Sequence, residues 1–165
     1  MSGPVDENVG IHGRIIGLLE ENGCGYELLK HGYVHTSADA AKVRGTRLEE
    51  AAKALVLKDR TNSKIFMCVV SGHKRLDLKR IKALLGSKNV SLAHPDEVFA
   101  ATGCKVGTVP PFPILFGLEG YADEGIFEHE HVVFSAASHY KSVRMRAQDW
   151  KTVAGVVVEQ LAKQD

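Results

Sequence analysis

The sequence predicts a mixed α/β fold of the α+β kind, in which helices surround a central, mixed but largely antiparallel sheet. Apolar residues recur with a helical period in some segments and a strand period in others, and no linker separates these segments. Two apolar strands flank a short turn and should pair as a hairpin. With 165 residues, 44% of them apolar, the chain can bury one core, so we expect a single domain over residues 1–165.

The first 45 residues predict two helices and a short strand. Apolar residues at positions 11, 15, 18 and 19 have helical spacing, and Asn22-Gly23 should end this helix because both residues tolerate left-handed geometry. The five residues from Tyr26 to Lys30 suit a strand. Ser37 can cap a helix that runs to Val43 and stops near Gly45.

The next segment predicts a hairpin. Thr46 and Glu49 form a capping-box pattern, which should start only a brief turn because the chain soon becomes strand-like. Two apolar strands, over Ala54–Lys58 and Lys64–Val70, flank the turn-rich segment 59–63. Both strands look buried on their two faces, as expected near the centre of a sheet.

Two helices and a rigid loop follow. Apolar residues at positions 78, 81, 84 and 85 predict an amphipathic helix that ends at Gly86, and Pro95 suits the first turn of a helix that reaches about Thr102. The segment Gly107–Pro113 contains three prolines. Each proline holds its own φ and pushes the preceding residue towards an extended conformation, so we expect a loop of fixed backbone.

The last third predicts strands and a terminal helix. Two strands should follow the loop, near Ile114–Tyr121 and over His131–Ala136, and the alternation of Val143 and Met145 with arginines marks another. We expect the central sheet to include residues 54–57, 65–70 and 131–136. The apolar face of the predicted C-terminal helix comprises Trp150, Val153, Ala154, Val157, Val158 and Leu161.

Composition excludes several classes of protein. The net charge of +1 excludes a generally basic nucleic-acid coat. The longest apolar run, Ile65 to Val70, is far shorter than the ~18 residues of a membrane span, and the first thirty residues carry no signal pattern, so we expect a cytoplasmic protein without membrane contact. Three cysteines without a CxxC pair fit a reducing compartment.

Charge is unevenly distributed along the chain. Six Lys or Arg residues and one acid, Asp77, lie between His73 and Lys88, whereas five acids and no Lys or Arg lie between Glu119 and Glu130. Each segment is either a solvated face or a binding surface. The sequence therefore predicts a molecule with a basic end and an acidic end.

Most catalytic templates are missing. The chain has no GxGxxG, GxxxxGK[ST], HExxH or GxSxG motif, which are the usual parts of nucleotide-binding, zincin and α/β-hydrolase sites. His129 and His131 lie among acids and could hold a metal, but no third ligand has suitable spacing, which favours an exposed hairpin. We expect no metal and no cofactor.

Lys53 and the Gly107–Pro111 loop are the candidates for chemistry. Lys53 begins a strand that otherwise reads as core, where its cation either lines a cleft or only extends towards solvent at the strand end. A glycine followed by rigid prolines either presents backbone N–H groups in a fixed direction, as an oxyanion site requires, or forms a plain surface turn.

Three motifs together resemble the YbaK/ProX family of aminoacyl-tRNA deacylases, which is similar to the editing insertion domain of bacterial prolyl-tRNA synthetases. They are Ala-Lys-Ala-Leu-Val-Leu at 52 to 57, Gly-Thr-Val-Pro-Pro-Phe at 107 to 112 and Phe-Ser-Ala-Ala-Ser-His at 134 to 139. Each motif alone is unspecific, but their order and spacing are not, and the resemblance covers the chain from Ile11 to Trp150.

The resemblance implies a trans-editing hydrolase that cleaves the ester bond of a mischarged aminoacyl-tRNA. The family's invariant lysine falls on Lys53 and its glycine-to-proline loop on Gly107 and Pro111. In the family these groups position the ester on the terminal adenosine, whose ribose 2′-hydroxyl helps to activate the attacking water. The catalytic residues so implied are Lys53, Gly107, Thr108, Val109, Pro110 and Pro111. The substrate-binding residues so implied are Phe112, Ser135, Ala136, Ala137, Ser138 and His139.

Two departures from the family bear on specificity. Many relatives have glycine where this chain has Pro113, so the rim of the pocket should be stiffer here, and His139 lies in a segment that varies among subfamilies with different substrates. Alanine, serine and cysteine are the family's usual substrates, and the sequence does not decide between amino acids or between tRNAs.

The implied partner is the acceptor end of aminoacyl-tRNA, with an aminoacyl-tRNA synthetase as a further candidate. The basic residues proposed to bind tRNA phosphates, with strong salt dependence, are Lys74, Arg75, Lys79, Arg80 and Lys82. The alternative function is a non-catalytic module of the same fold that holds aminoacyl-tRNA or a synthetase. The presence of Lys53 and of an intact glycine loop favours the enzyme.

Overall fold

The structure is a computed structural model that describes residues 8–33 and 37–164, except the side chains of residues 37–39 and 44. The predicted cap at Ser37 therefore lies outside the described side chains. The helices in these ranges are α1 (Val9–Glu21), α2 (Ser37–Arg44), α3 (Leu78–Leu85), α4 (Pro95–Thr102) and α5 (Ala147–Ala154). The strands are β1 (Tyr26–Lys30), β2 (Ala52–Asp59), β3 (Lys64–Ser71), β4 (Val90–Leu92), β5 (Glu119–Asp123), β6 (His131–Ser135), β7 (Lys141–Arg146) and β8 (Val157–Glu159).

The strands form two sheets. The larger sheet has the order β4-β2-β3-β5-β8 and the smaller one the order β1-β7-β6. Only the β3–β5 and β5–β8 pairs are parallel among the described strands, so the predicted mixed, largely antiparallel α+β fold is confirmed.

The prediction that residues 131–136 join the central sheet is wrong. β6 pairs with β7 in the smaller sheet and meets the larger sheet through one isolated parallel bridge, between Ala51 and Val133. A strand-like run of residues predicts a strand but carries no information about its pairing partner, and here the short hairpin connection to β7 provides that partner.

The predicted β2–β3 hairpin is confirmed, and it divides the core in two. Side chains alternate across the pair, so Val56 and Met67 point to the larger core, which also holds Phe134 of the smaller sheet. On the other face, Leu57 and Phe66 join the smaller core beneath α3. Both strands are thus buried on two faces near their centres.

The predicted C-terminal helix is too long. α5 ends at Ala154, Gly155 adopts φ +78°, and residues 157–159 form β8 beside β5. A Cβ atom on Gly155 would lie 3.0 Å from Ile114 Cβ, so this glycine permits both a left-handed turn and close packing. The valines that suggested a helical face instead occupy a strand that runs parallel to β5.

Two local predictions also differ from the structure. The strand predicted from Ile114 begins only at Glu119, because residues 113–116 form a 3-10 turn that ends at left-handed Gly117. Thr46 does not cap the turn at Leu48–Glu50, since its buried hydroxyl has no hydrogen-bond partner among the described residues. The capping-box pattern recognises residue types, whereas the backbone here places Arg47 at the cap position.

α3 ends at Gly86 and α4 begins at Pro95, as the sequence predicts, and carboxylates that the sequence analysis did not single out cap both helices. The Asp77 carboxylate accepts from Lys79 N–H at the start of α3, and Gly86 ends it with φ +64°. At α4, Glu97 accepts from the His94 N–H and forms ion pairs with two side chains of the larger sheet's hairpin, Lys58 at 2.8 Å and Arg60 at 3.1 Å. α4 is therefore held to β2 by charge as well as by apolar contact.

His129 and His131 do not form an exposed hairpin. His129 follows a 3-10 turn and accepts a hydrogen bond from Arg47, and both histidines are half-buried. Among the described residues, no group of three or more His, Cys, Asp or Glu side chains is arranged to hold a metal ion. In the same part of the chain, no helix is long and apolar enough to span a membrane.

Candidate active site

The Gly107–Pro111 loop is held in place by its own hydrogen bonds and by α5. The N–H and hydroxyl of Thr108 both donate to the Lys105 carbonyl, at 3.0 and 2.7 Å. Trp150, which is fully buried, donates from Nε1 to the Pro111 carbonyl at 2.9 Å. The loop therefore has the fixed backbone that its prolines predict.

Few backbone donors of the loop remain unused. Pro110 and Pro111 have no N–H, Thr108 donates to Lys105, and the Phe112 N–H donates to the Pro110 carbonyl at 2.8 Å. Among the described residues, the N–H groups of Gly107 and Val109 donate to no protein acceptor. Gly107 is exposed and has φ +90°, so its N–H is the more accessible of the two donors.

The 135–139 segment forms the hairpin loop between β6 and β7. Ala136 N–H donates to the Lys141 carbonyl at 3.1 Å, and Ser138 Oγ accepts from the Tyr140 N–H at 2.9 Å. Ala137 has φ +62°, which is rare for a residue with a Cβ atom, and it is completely buried. The segment is thus a tight, internally bonded turn that carries local strain.

The start of α1 anchors this segment from outside. Asn8 N–H donates to the Ala137 carbonyl at 2.9 Å, and a ring nitrogen of His12 lies 3.0 Å from the Ala136 carbonyl. Asn8 also donates from its side chain to the Gly103 carbonyl at 2.7 Å, just after α4. One residue therefore connects the 135–139 segment to the end of α4, four positions before the glycine loop, a role that no sequence pattern predicted.

The glycine loop and the 135–139 segment meet at His139. A Cβ atom on Gly107 would lie 3.2 Å from His139 Cε1, and His139 is only 5% exposed. Deeper in the core, the Phe112 and Phe134 rings pack edge to face with centroids 5.2 Å apart. The structure thus brings together two of the three motifs that carried the family resemblance.

Tyr33 is a neighbour of this contact that sequence analysis missed. Its ring lies 4.6 Å from the His139 ring and 5.8 Å from the Tyr140 ring, measured between centroids. Tyr33 is half exposed. No sequence pattern marks Tyr33. It follows β1, which pairs with β7, and the His31 N–H extends this pairing by donating to the Tyr140 carbonyl. The pairing brings Tyr33 close to residues 139 and 140.

Lys53 has partners on another segment of the chain. Alternation places it on the face of β2 that carries Leu55, opposite Ala52 in the larger core. Its ammonium donates to the Gly72 carbonyl at 3.5 Å. Burial, followed by the positive charge of Arg75, lowers the pKa of Lys53. Its hydrogen bond links Lys53 to the 72–75 segment, whereas the glycine loop is linked to His139.

The predicted basic surface is only partly free to bind anions. Arg75 and Lys79 are exposed and form no ion pair with a described carboxylate. Arg80 pairs with Asp77 at 3.6 Å and donates to Gln160 at 2.8 Å. Lys74 and Lys82 are half-buried.

The buried cysteines and Pro113 have structural roles. Burial raises the pKa of Cys68 to about 12 and that of Cys104 to about 11, so both thiols remain protonated and poorly nucleophilic near neutral pH.

Pro113 is buried and packs against Gly120, where a Cβ atom would collide with the proline ring. The end of the glycine loop is therefore fixed against β5.

Known proteins match this chain over most of its length. Residues 31–153 match the model of a family described as the aminoacyl-tRNA editing domain. A relative from Escherichia coli, the multifunctional Ser/Thr-tRNA deacylase ProXp-y, is 32% identical over 146 residues, which is 87% of each chain. The prolyl-tRNA editing protein ProX of Acetoanaerobium sticklandii is 27% identical over 101 residues, 61% of this chain and 62% of that protein.

A solved structure supports the same relationship. A candidate trans-editing enzyme for prolyl tRNA synthetase has a TM-score of 0.80 and 26% identity to this chain, with coverage of 95% of this chain and 99% of the other. The family match spans Lys53, the glycine loop and the 135–139 segment. On this evidence, the chain belongs to the aminoacyl-tRNA editing domain family.

Proposed function

We propose that this protein is a trans-editing hydrolase that cleaves the ester bond between a wrong amino acid and the terminal adenosine of tRNA. One observation carries the proposal: in a chain of the editing family, exposed Gly107 turns with φ +90° directly beside His139, with its N–H unused by any described acceptor. This arrangement offers a substrate oxygen a donor on a rigid loop.

The chemistry needs little beyond positioning and charge stabilisation. An aminoacyl ester is already activated, so an oriented water and donors aimed at the developing oxyanion lower the barrier substantially. The N–H groups of Gly107 and Val109 are the donors we assign to that oxyanion. The ribose 2′-hydroxyl of the substrate would orient the water, as the family resemblance implies. The buried thiols of Cys68 and Cys104 stay protonated and are poor nucleophiles, so we assign them no part in the reaction.

Lys53 is assigned to the phosphate of the terminal nucleotide. Lys53 lies near a second cation, Arg75, and both charges disfavour each other in the absence of an anion. A phosphate between them would remove this repulsion and would position the ester relative to the loop. Lys53 acts in this scheme as a point charge and forms no covalent bond.

His139 and the neighbouring hairpin residues are assigned to the amino-acid pocket. The turn between β6 and β7 contributes Ser135, Ala136, Ala137 and Ser138, and His139 lies beside the glycine loop. The activity in the name of the Escherichia coli relative makes seryl- and threonyl-tRNA the first substrates to test. Alanyl- and cysteinyl-tRNA extend the panel to other small side chains.

The test is deacylation of a panel of mischarged tRNAs by the purified protein. We expect loss of the ester above the spontaneous rate for at least one small amino acid, and a strongly reduced rate with the Gly107→Ala variant. Binding of aminoacyl-tRNA without ester loss would overturn the proposal in favour of a binding module. Addition of the synthetase that produces the mischarged tRNA then shows whether this partner raises the rate.

A further inference from the structure

The C-terminal segment of the described chain lies against the basic segment. Lys163 N–H donates to the Arg75 carbonyl at 2.8 Å, Leu76 and Ala162 form an antiparallel bridge, and the Asp77 N–H donates to the Leu161 carbonyl at 2.8 Å. These bonds join residues more than 80 positions apart. They place Lys163 beside the start of α3, although the sequence suggested no connection.

A buried carboxylate fixes this segment in place. Asp123 Oδ1 accepts from the Leu161 N–H at 2.8 Å and from the Ala162 N–H at 2.9 Å, and the Leu161 side chain is fully buried in the smaller core. The backbone that carries Lys163 is therefore well anchored, while its side chain is exposed. A substitution of that side chain should leave the anchoring intact.

Lys163 and α3 border a surface cavity of about 560 Å³ with a surplus of positive charge. Its charged lining residues are Lys79, Arg80 and Lys163, with Asp77 as the acid. Asp77 already caps α3 and pairs with Arg80. Among the described residues, Lys79 and Lys163 form no ion pair, in contrast to Lys58 and Arg60, which pair with Glu97.

Arg75 lies in sequence between the segment that Lys53 contacts and the residues that line the cavity. Lys53 donates to the carbonyl of Gly72, three residues before Arg75. Arg75 and Lys163 lie opposite each other beside the Leu76–Ala162 bridge, and both are exposed. Three exposed cations, Arg75, Lys163 and Lys79, are therefore grouped at the start of α3. A ligand that matches this group carries several negative charges.

We propose that Lys163, together with Arg75 and Lys79, binds phosphodiester groups of the tRNA acceptor strand as the strand leaves the terminal nucleotide at Lys53. This inference rests on the proposed function, which brings an RNA strand end to Lys53. A strand with a phosphate at every nucleotide suits a group of exposed cations without ion-pair partners better than an acidic protein surface, whose carboxylates are usually interspersed with cations. Lys163 is then a positioning residue, which acts through the placement of the RNA.

The experiment compares Lys163→Glu with Lys151→Glu. Lys151 is an exposed lysine of α5 whose ammonium lies over the Phe127 ring, so its variant makes the same change in net charge on another element. Binding of a labelled, uncharged tRNA is measured at several salt concentrations, and deacylation is measured with mischarged tRNA and with the aminoacyl ester of adenosine. Thermal melting verifies that both variants are folded.

We expect Lys163→Glu to raise the KM for mischarged tRNA about tenfold and to flatten the plot of log K against log salt by about 0.7 to 0.9 for each phosphate that the variant no longer binds. The turnover number and hydrolysis of the adenosine ester should change little, and Lys163→Arg should restore binding. Lys151→Glu should behave like the wild type.

The outcomes separate this inference from the proposed function. If Lys163→Glu binds tRNA with the wild-type salt dependence, the phosphate surface is disproved although deacylation stands. If the wild type binds tRNA through Lys163 but hydrolyses no ester, the proposed function fails and the surface stands. If the wild type does not bind tRNA at all, the surface is also disproved.

Discussion

A Cβ atom added to Gly107 would lie 3.2 Å from Cε1 of His139, so the glycine loop approaches the β6–β7 hairpin too closely at this point for a side chain to fit freely. The loop requires glycine at position 107 for two reasons. The backbone has φ +90°, which side chains with a Cβ rarely adopt, and His139 is buried and cannot easily move away.

Gly107→Ala should reduce deacylation strongly with only moderate loss of stability. The added methyl group both strains the backbone and pushes the loop from His139, which misaligns the N–H donors. We expect a loss of roughly a hundredfold in kcat/KM, the usual effect of removing one oxyanion donor. The control is Gly17→Ala in α1, where a Cβ atom meets nothing within 4 Å. Equal activity of the two variants would refute the role of the loop.

Lys53→Ala should abolish most deacylation and leave the fold intact, because Lys53 is only half-buried and its ammonium donates to a backbone carbonyl, that of Gly72. The expected loss is roughly a hundredfold or more in kcat/KM, about 2.7 kcal/mol. Lys53→Arg should restore activity only in part, since a planar guanidinium does not replace a compact charge. Near-normal turnover of a folded Lys53→Ala protein would favour the binding-module function.

Arg80→Ala should weaken tRNA binding less than Lys79→Ala does. Arg80 is already engaged by Asp77 and Gln160, whereas Lys79 has no ion-pair partner among the described residues. The slope of log K against log salt should therefore fall by about 0.7 to 0.9 for Lys79→Ala and by less for Arg80→Ala. Equal slopes in both variants would show that the Asp77 pair opens when tRNA binds.

Glu97 should make stability depend on pH in the acid range. Hydrogen bonds from Lys58, from the His94 N–H and from Arg60 lower the pKa of Glu97 to about 2 in the folded protein. Its stabilising contribution is therefore fully present above the unfolded-state pKa of about 4.3 and is lost as the pH falls towards 2.

The measurement is the free energy of unfolding between pH 2 and pH 7 for the wild type and Glu97→Gln. Below a pH of about 4.3 the wild type should lose its advantage over the variant, because the neutral amide binds no proton. Glu21→Gln, at the exposed end of α1, is the control variant. A constant difference between wild type and Glu97→Gln across this range would contradict the ion-pair account.

Much of the fold was predictable because it depends on local chemistry. The stripe of α1, the end of α3 at Gly86 and the β2–β3 hairpin follow from residue periodicity and turn residues within a few positions of one another. The same holds for the rigid Gly107 loop. The three sequence motifs together were also sufficient to identify the family.

Only the tertiary structure decided which of these elements meet. β6 could pair with any strand, and its hairpin with β7 created a second sheet, while left-handed Gly155 converted the end of a predicted helix into β8. Contacts such as Gly107 with His139, and Lys163 with Arg75, join residues tens of positions apart. The physical reason is that periodicity and caps report the backbone near a residue, whereas pairing and packing depend on the free energy of surfaces that distant segments bury together.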